Sequence, residues 1–236
     1  AHALNIGLQH CDFDVVARAD CDDVSLPNRF ATIIPQFTRR SAASHTTVKS
    51  KLPIDVMGSA IREFTDDERQ PGQIRMLPAE GADLEKYARM QSPVHHPSVV
   101  FRKSAVLAAG GYPEDAGRFE DYLLWERMML NHAQFLNMPE PLVLYRTNQE
   151  AYERRGGWDM FREELRLQWR FLRDGFTSPA QFLRNTFIRA AYRMMPTSLR
   201  KRAYHSIVSR RNTEISAAPA PAEVQAKPRG RHAQSE

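Results

Sequence analysis

The chain has 236 residues, 42% hydrophobic and 26% charged, enough to bury a core without a covalent staple. Its two cysteines, Cys11 and Cys21, exclude a disulfide framework, and neither lies in a C-x-x-C, which argues against zinc and for a reducing compartment. The net charge of +5 is uneven: 22 Lys and Arg against 25 Asp and Glu through Ser178, then 11 against 3 from Pro179, so the C-terminal part suits anionic lipid or nucleic acid.

Residues 3–9 have helical spacing, with Leu4 and Leu8 on one face, and "FDVVARA" reads as a buried strand. "SLPNRFATIIPQF" predicts a helix after Pro27, with Ser25 as its cap. "SHTTVKS" and "IDVMGSAIREF" predict strands, and Gly58 in the second marks a bulge or a close approach of backbone. Residues 66–81, polar and broken by Pro71, Gly72 and Pro78, predict an excursion loop. "HPSVVFRKSAVLAAGGY" predicts a strand and a short helix stopped at Gly110-Gly111. "FEDYLLWERMMLNHA" predicts a helix with Leu124, Trp125, Met128 and Met129 on one apolar face, and "AQFLNMPEPLVLYR" a further strand. Alternating strands and helices favour an α/β layered domain. Beyond Asn148 the pattern turns helical and basic, and residues 219–236, rich in Pro, Ala and Gln, predict disorder.

Two acidic groups carry the chemistry. Asp20, Asp22 and Asp23 follow the strand "VVARA" almost at once. Carboxylates spaced D-x-D at a strand end suit Mg²⁺ or Mn²⁺, whose open positions take phosphate oxygens; a solvated turn is the other reading. Glu120 and Asp121 open a helix. There they either complement the helix dipole or supply a general base for a hydroxyl nucleophile.

The order of the pieces resembles the family 2 glycosyltransferases, inverting enzymes with the GT-A fold, and among them the bacterial exopolysaccharide, capsule and lipopolysaccharide members. "ALNIGLQHC" is similar to the family's A-L-N-x-G-L helix, and "VVARADCDDVSLPNRF" to its I-A-R-M-D-A-D-D-I-S-x-P-x-R-F segment. "VMGSAIREF" resembles the V-x-G-S strand, and "HHPSVVFRKSAVLAAGGY" the H-P-S-V-M-F-R-K and G-G-Y stretch. "FEDYLLWERMML" resembles the E-D-x-x-L-W helix, and "PEPLVLYR" the closing strand.

The resemblance implies an α/β nucleotide-diphospho-sugar transferase fold, N-terminally truncated, because the family's opening V-S-V-x-x-P-x-Y-N strand is expected ahead of Ala1. It implies Asp121 as catalytic base with Glu120 as its partner, Asp20 on the donor's ribose or sugar, and Asp22 with Asp23 on a divalent metal, Mg²⁺ or Mn²⁺. Arg18, Arg146 and Arg155 are candidate donor-binding residues, with Arg154 beside the last; Arg146, Arg154 and Arg155 can bind a diphosphate through forked hydrogen bonds or equally belong to a solvated surface. His96 falls near the acceptor side. Arg18 can also simply pair with the neighbouring acids, and Arg29 can touch the metal loop or cover a helix face. His95 and His96 are adjacent and point to different sides, which favours a packing or turn role before Pro97 over a metal role. The expected partners are a nucleotide-diphospho-sugar, a UDP-sugar for preference, and a saccharide or lipid-linked saccharide acceptor. The processive signature Q-x-x-R-W is absent from the given residues, which favours one sugar per encounter.

The expected organisation is a partial catalytic domain over residues 1–148, a helical basic region over 149–212 and a disordered tail over 213–236. Between Arg184 and Arg211 eight Lys and Arg occur without an acid, interleaved with Leu183, Phe187, Ala191, Met194 and Met195. That pattern suits a helix lying on an anionic membrane surface; packing of the stripe on the catalytic domain, arginines outward, is the alternative. No run reaches the roughly 18–20 apolar residues of a membrane span. The expected location is cytoplasmic, peripheral on the inner face of the plasma membrane. Two rival classes are a non-catalytic binding or scaffold remnant and a nucleic-acid binder working through the basic tail; the second lacks any recognised module, so no nucleic-acid partner is expected.

Overall fold

The computed structural model describes residues 1–39, 53–147 and 157–217. The expected strand "SHTTVKS", the tail beyond residue 217, Arg154 and Arg155 lie outside them.

Helix α1 (His2–Gln9) leads into strand β1 (Val15–Ala17), followed by β2 (Val24–Ser25) and α2 (Arg29–Arg39). Next come β3 (Val56–Phe64), β4 (Ile74–Arg75), α3 (Gly81–Ala88), β5 (Val100–Arg102), α4 (Lys103–Ala108), α5 (Glu120–Leu130) and β6 (Phe135–Arg146). A helical run closes the described chain: α6 (Trp158–Arg173), α7 (Pro179–Met194) and α8 (Thr197–Ala217).

The strands form one sheet in the order β1-β5-β3-β6-β2, with β4 also on β3. Among the described strands only β3 and β6 pair in parallel, from Val56 opposite Phe135 to Phe64 opposite Arg146. The register slips after Ser59, whose partner is Met138, because Ala60 next pairs with Pro141. Pro139 and Pro141 lack the N–H that an unbroken ladder needs, so the extra residues bulge out there.

Alternate residues of β3 serve two cores. Val56 packs with Leu8, Phe101, Leu124, Trp125 and Met128, whereas Met57 packs with Ile33 and Phe37 of α2 on the other face. The predicted apolar face of α5 is the one buried against the sheet. Its neighbours Tyr122 and Leu123 point elsewhere, onto Leu167 and Phe171 of α6.

Gly58 is closely approached, by side chains rather than by the backbone expected, and the register shift falls one residue further on, after Ser59. A Cβ at this position would lie 2.3 Å from Asn137 Oδ1 and 3.3 Å from Val94. Asn137 cannot yield easily, since its Nδ2 donates to Pro78 O at 2.9 Å and Pro93 O at 2.8 Å, stapling the segment around α3 to the sheet. Gly58→Ala is therefore expected to destabilise the protein by about 1–3 kcal/mol through overpacking. Urea unfolding would read this directly, and an unchanged midpoint would mean that Asn137 moves freely.

Two expectations need correction. Ser25 does not cap α2: it sits in β2, and its Oγ accepts from Arg29 Nη1 at 2.8 Å, while the chain turns through Leu26 with Arg29 N bonded to Leu26 O at 3.0 Å. Residues 66–81 are not all loop. Ile74 and Arg75 pair with Arg62 and Ile61 of β3, and Asn212 of α8 grips this strand, donating to Ile74 O at 2.6 Å and accepting from Met76 N at 3.2 Å.

Candidate active site

β1 and β2 lie at opposite edges of the sheet, so the chain from Arg18 to Asp23 has to cross between them. That crossing carries the acidic cluster. Its path is held from beneath by Arg29, a fully buried guanidinium that donates through Nη2 to Arg18 O at 2.8 Å and Pro97 O at 3.4 Å, and through Nη1 to Ser25. Burial lowers the Arg29 pKa, and the nearby Asp23 carboxylate opposes the shift. Of the two readings given for Arg29, contact with the loop is the observed one.

Arg146, at the end of β6, clamps the far side of the loop. Its backbone N–H donates to Asp23 Oδ1 at 2.8 Å, its Nε to Asp22 O at 3.1 Å, and its guanidinium stacks 4.5 Å above the Phe64 ring. The candidate donor-binding arginine is thus also the loop's anchor. Asp22 is exposed. Asp23 is half-buried, and its carboxyl is pushed up to about 6, first by burial and then by Asp22 and Asp20, against the pull of Arg146.

Arg18 joins this loop to the second acidic pair. It bonds Asp20 at 2.6 Å, the pairing foreseen for it. It also acts electrostatically on Asp121, His96 and Tyr112. Asp121 sits in the first turn of α5, one residue past Glu120; Phe119 is the N-cap and makes no side-chain cap hydrogen bond. Burial, then the charge of Glu120, raises the Asp121 carboxyl to about 6, with backbone hydrogen bonds and Arg18 pulling the other way.

The histidines diverge as expected. His95 Nε2 meets Arg75 O at 3.2 Å, and burial holds the imidazole well below the usual histidine range. His96 turns to the other side, with Nε2 3.2 Å from the Tyr112 hydroxyl and its ring edge-on to Trp125. Burial and Arg18 lower His96 to about 3, so it stays neutral at physiological pH.

Tyr112 was not among the sequence candidates. It is 3% exposed, and its hydroxyl, made less acidic first by burial, feels Arg18, Asp121, Glu120 and Asp20 together. Asn5 of α1 brackets it, accepting from Tyr112 N at 2.9 Å and donating to Tyr112 O at 2.8 Å. Gly110 and Gly111 both have positive φ (89° and 72°), the conformation that reverses the chain after α4. The Asn of "ALN" and the Tyr of "GGY" were both visible as motif residues; their contact across 107 positions was the missing signal.

The structure therefore brings Arg18, Asp20, Glu120, Asp121, His96 and Tyr112 into one electrostatic neighbourhood, with Asp22, Asp23 and Arg146 continuing it along the loop. Among the described residues no three His, Cys, Asp or Glu side chains gather to cage a metal. The loop offers less than a cage: the exposed Asp22 carboxylate and the Asp23 Oδ2, which is buried without a hydrogen-bond partner among the described residues. That donor set fits a hard cation that takes its remaining ligands from water or phosphate oxygens.

The sequence is 32% identical over 208 residues to the UDP-Gal:alpha-D-GlcNAc-diphosphoundecaprenol beta-1,3-galactosyltransferase of Escherichia coli, an overlap of 88% of this chain and 71% of that protein. It is 33% identical over 205 residues to the amylovoran biosynthesis glycosyltransferase AmsE of Erwinia amylovora, covering 86% of this chain and 71% of that one. A glycosyltransferase of Haemophilus influenzae, itself uncharacterised, is 31% identical over 206 residues. No protein-family model matches the chain. The chain belongs to the bacterial glycosyltransferases of polysaccharide and O-antigen biosynthesis.

Proposed function

We propose that the protein transfers a sugar from a nucleotide-diphospho-sugar, with UDP as the nucleotide, to a hydroxyl of a lipid-linked saccharide, inverting the anomeric carbon as in family 2. The observation that supports this reading is the convergence on Arg18, which links the acidic loop to the acid pair of α5. The Escherichia coli relative's name carries both a UDP-sugar and a diphosphoundecaprenol-linked acceptor, which agrees with the donor and acceptor classes proposed here.

In this mechanism Asp121 takes the proton of the acceptor hydroxyl as its oxygen attacks the anomeric carbon. The bond to the diphosphate breaks on the opposite face, and the nucleoside diphosphate leaves. Glu120 strengthens Asp121 as a base, because its negative charge raises the proton affinity of its neighbour. Neutral His96 and Tyr112 border the acceptor side. Arg18 fixes Asp20 towards the donor sugar, while Arg146 holds the loop on which the diphosphate rests. Asp22 and Asp23 would hold Mg²⁺ or Mn²⁺, which when bound neutralises charge on the departing diphosphate.

Such a donor and acceptor meet at the inner face of the plasma membrane, where the protein would act peripherally. Among the described residues no helix is long and apolar enough to cross a membrane. The test is an assay with UDP-sugars and a diphosphopolyprenol-linked sugar, with product configuration read by NMR. Transfer with inversion is expected, slowed by EDTA and restored by Mn²⁺ or Mg²⁺. Absence of both transfer and UDP binding by calorimetry would sink the reading.

A further inference from the structure

Helix α7 is amphipathic with its polarity reversed. At about 100° per residue, Leu183, Met194, Phe187, Ala191 and Ile188 fall within one arc of about 140°. This arc faces outward: Leu183 is 67% exposed, Phe187 76%, Ile188 42% and Met194 61%. Arg184 is the one charged residue within it. The polar side chains lie on the inner face instead. Arg189 and Arg193 bind the buried Glu164 of α6, and buried Asn185 donates to Arg89 O at 2.7 Å. The alternative in which the stripe packs inward is thereby reversed, and two of the expected surface arginines are spent inside.

At the N-terminal end of α7 the surface continues into a groove of about 500 Å³ between α6 and α7. Leu165, Trp169 and Phe182 line it, with Arg166, Arg170 and Arg173 around them. Trp169 is 59% exposed and stands edge-on to Phe182 with ring centres 6.0 Å apart. No Asp or Glu occurs from Gly175 to Thr213.

We infer that the outward face of α7, with Trp169 beside it, docks on an anionic bilayer and lies in the headgroup boundary. An apolar arc of this size is unusual on a freely soluble surface. A purely apolar arc would fit a protein partner equally well; the arginines beside it and the lack of any acid along α7 itself favour anionic lipid, while Arg170 and Arg173 at the groove are paired with Asp115 and Asp174. An interfacial Trp at the rim has the same preference. The inference rests on the proposed lipid-linked acceptor, and it gives that acceptor a route. The inner face of α7 reaches Tyr122, the chain neighbour of Asp121, through Arg189. The docked surface thus stands one helix away from the base.

The experiment is co-sedimentation of the full chain with phosphatidylcholine vesicles, with and without phosphatidylglycerol, beside the variant Leu183→Ser/Phe187→Ser/Ile188→Ser. The parent should bind the phosphatidylglycerol vesicles, less tightly in high salt, and the variant should bind at least tenfold more weakly. Because all three side chains are exposed, circular dichroism and transfer to a water-soluble acceptor analogue should not change. Equal binding by parent and variant overturns the assignment, as does no vesicle binding by either. So does a dimer in light scattering that the variant dissociates, which would make a second copy the occupant. Transfer to the soluble analogue without vesicle binding would leave the proposed reaction standing and remove this surface alone.

Discussion

Asp121→Asn is expected to lower turnover by about 10²–10⁴-fold while the protein stays folded, because general-base assistance is lost and little else changes. Stability should move the other way. The Asp121 carboxyl sits at about 6 in the folded protein against an ordinary 3.8, so between those values the folded state holds a proton that the unfolded chain has released. Stability attributable to this group therefore falls as pH rises from about 4 to about 6, and stays lost above. A neutral amide avoids that loss, so above pH 6 the variant should gain about 1–3 kcal/mol, discounted for partial solvent access. A variant that is both slower and no more stable would point to a structural defect.

The pH profile separates Asp121 from its rival. In the parent, kcat/KM should fall about tenfold per pH unit below 6 as the base is protonated. Asp23 also titrates near 6, through its own burial beside Asp22 and Asp20. The residual activity of Asp121→Asn distinguishes them: the acid limb vanishes if Asp121 is the base and persists if Asp23 is the group observed. Glu126, 1% exposed with neither oxygen hydrogen-bonded among the described residues, is pushed by burial to about 7. Its titration should appear in unfolding midpoints, with stability falling as pH rises from about 4.5 towards 7.

What could be read from the sequence was whatever depends on local pattern. The apolar stripe of α5, the stop at Gly110-Gly111, Gly58 in β3 and the strand β6 all have short-range signatures, and each is found where expected. Elements of two residues, β2 and β4, have no periodicity to detect; they exist because β6 and β3 offer free edges. The eight residues of α3 follow directly on a polar stretch punctuated by Pro and Gly, and no expectation covered them beyond Gly81. The acid pair and the D-x-D loop were visible as residues, but their convergence depends on Arg18, Tyr112 and Asn5 meeting from three distant segments. Arg29 looks like a surface arginine at the start of a helix until the carbonyls of Arg18 and Pro97 come beneath it. The stripe on α7 was equally legible. Which way it faces was not, because that depends on Glu164 in another helix.

Glu164→Gln is expected to destabilise the protein by about 3 kcal/mol or somewhat more, the loss seen when one member of a buried ion pair is removed and its partner left behind. Glu164 is 1% exposed and takes Arg193 Nε at 2.8 Å and Nη2 at 3.1 Å, together with Arg189 Nη1. Arg189 and Arg193 are 16% and 13% exposed in their side chains, too enclosed for water to replace the carboxylate fully. Replacing all three, as Glu164→Leu/Arg189→Met/Arg193→Leu, should come close to neutral, since desolvating three charges offsets most of what their attraction contributes. The comparison matters for the direction of α7. If the arginines could swing outward and leave the apolar arc to pack inward, Glu164→Gln would cost little and Phe187 would become protected from solvent. Urea midpoints of the single and triple variants decide between these outcomes: a large loss in the first with recovery in the second means that the charges inside hold the apolar face out.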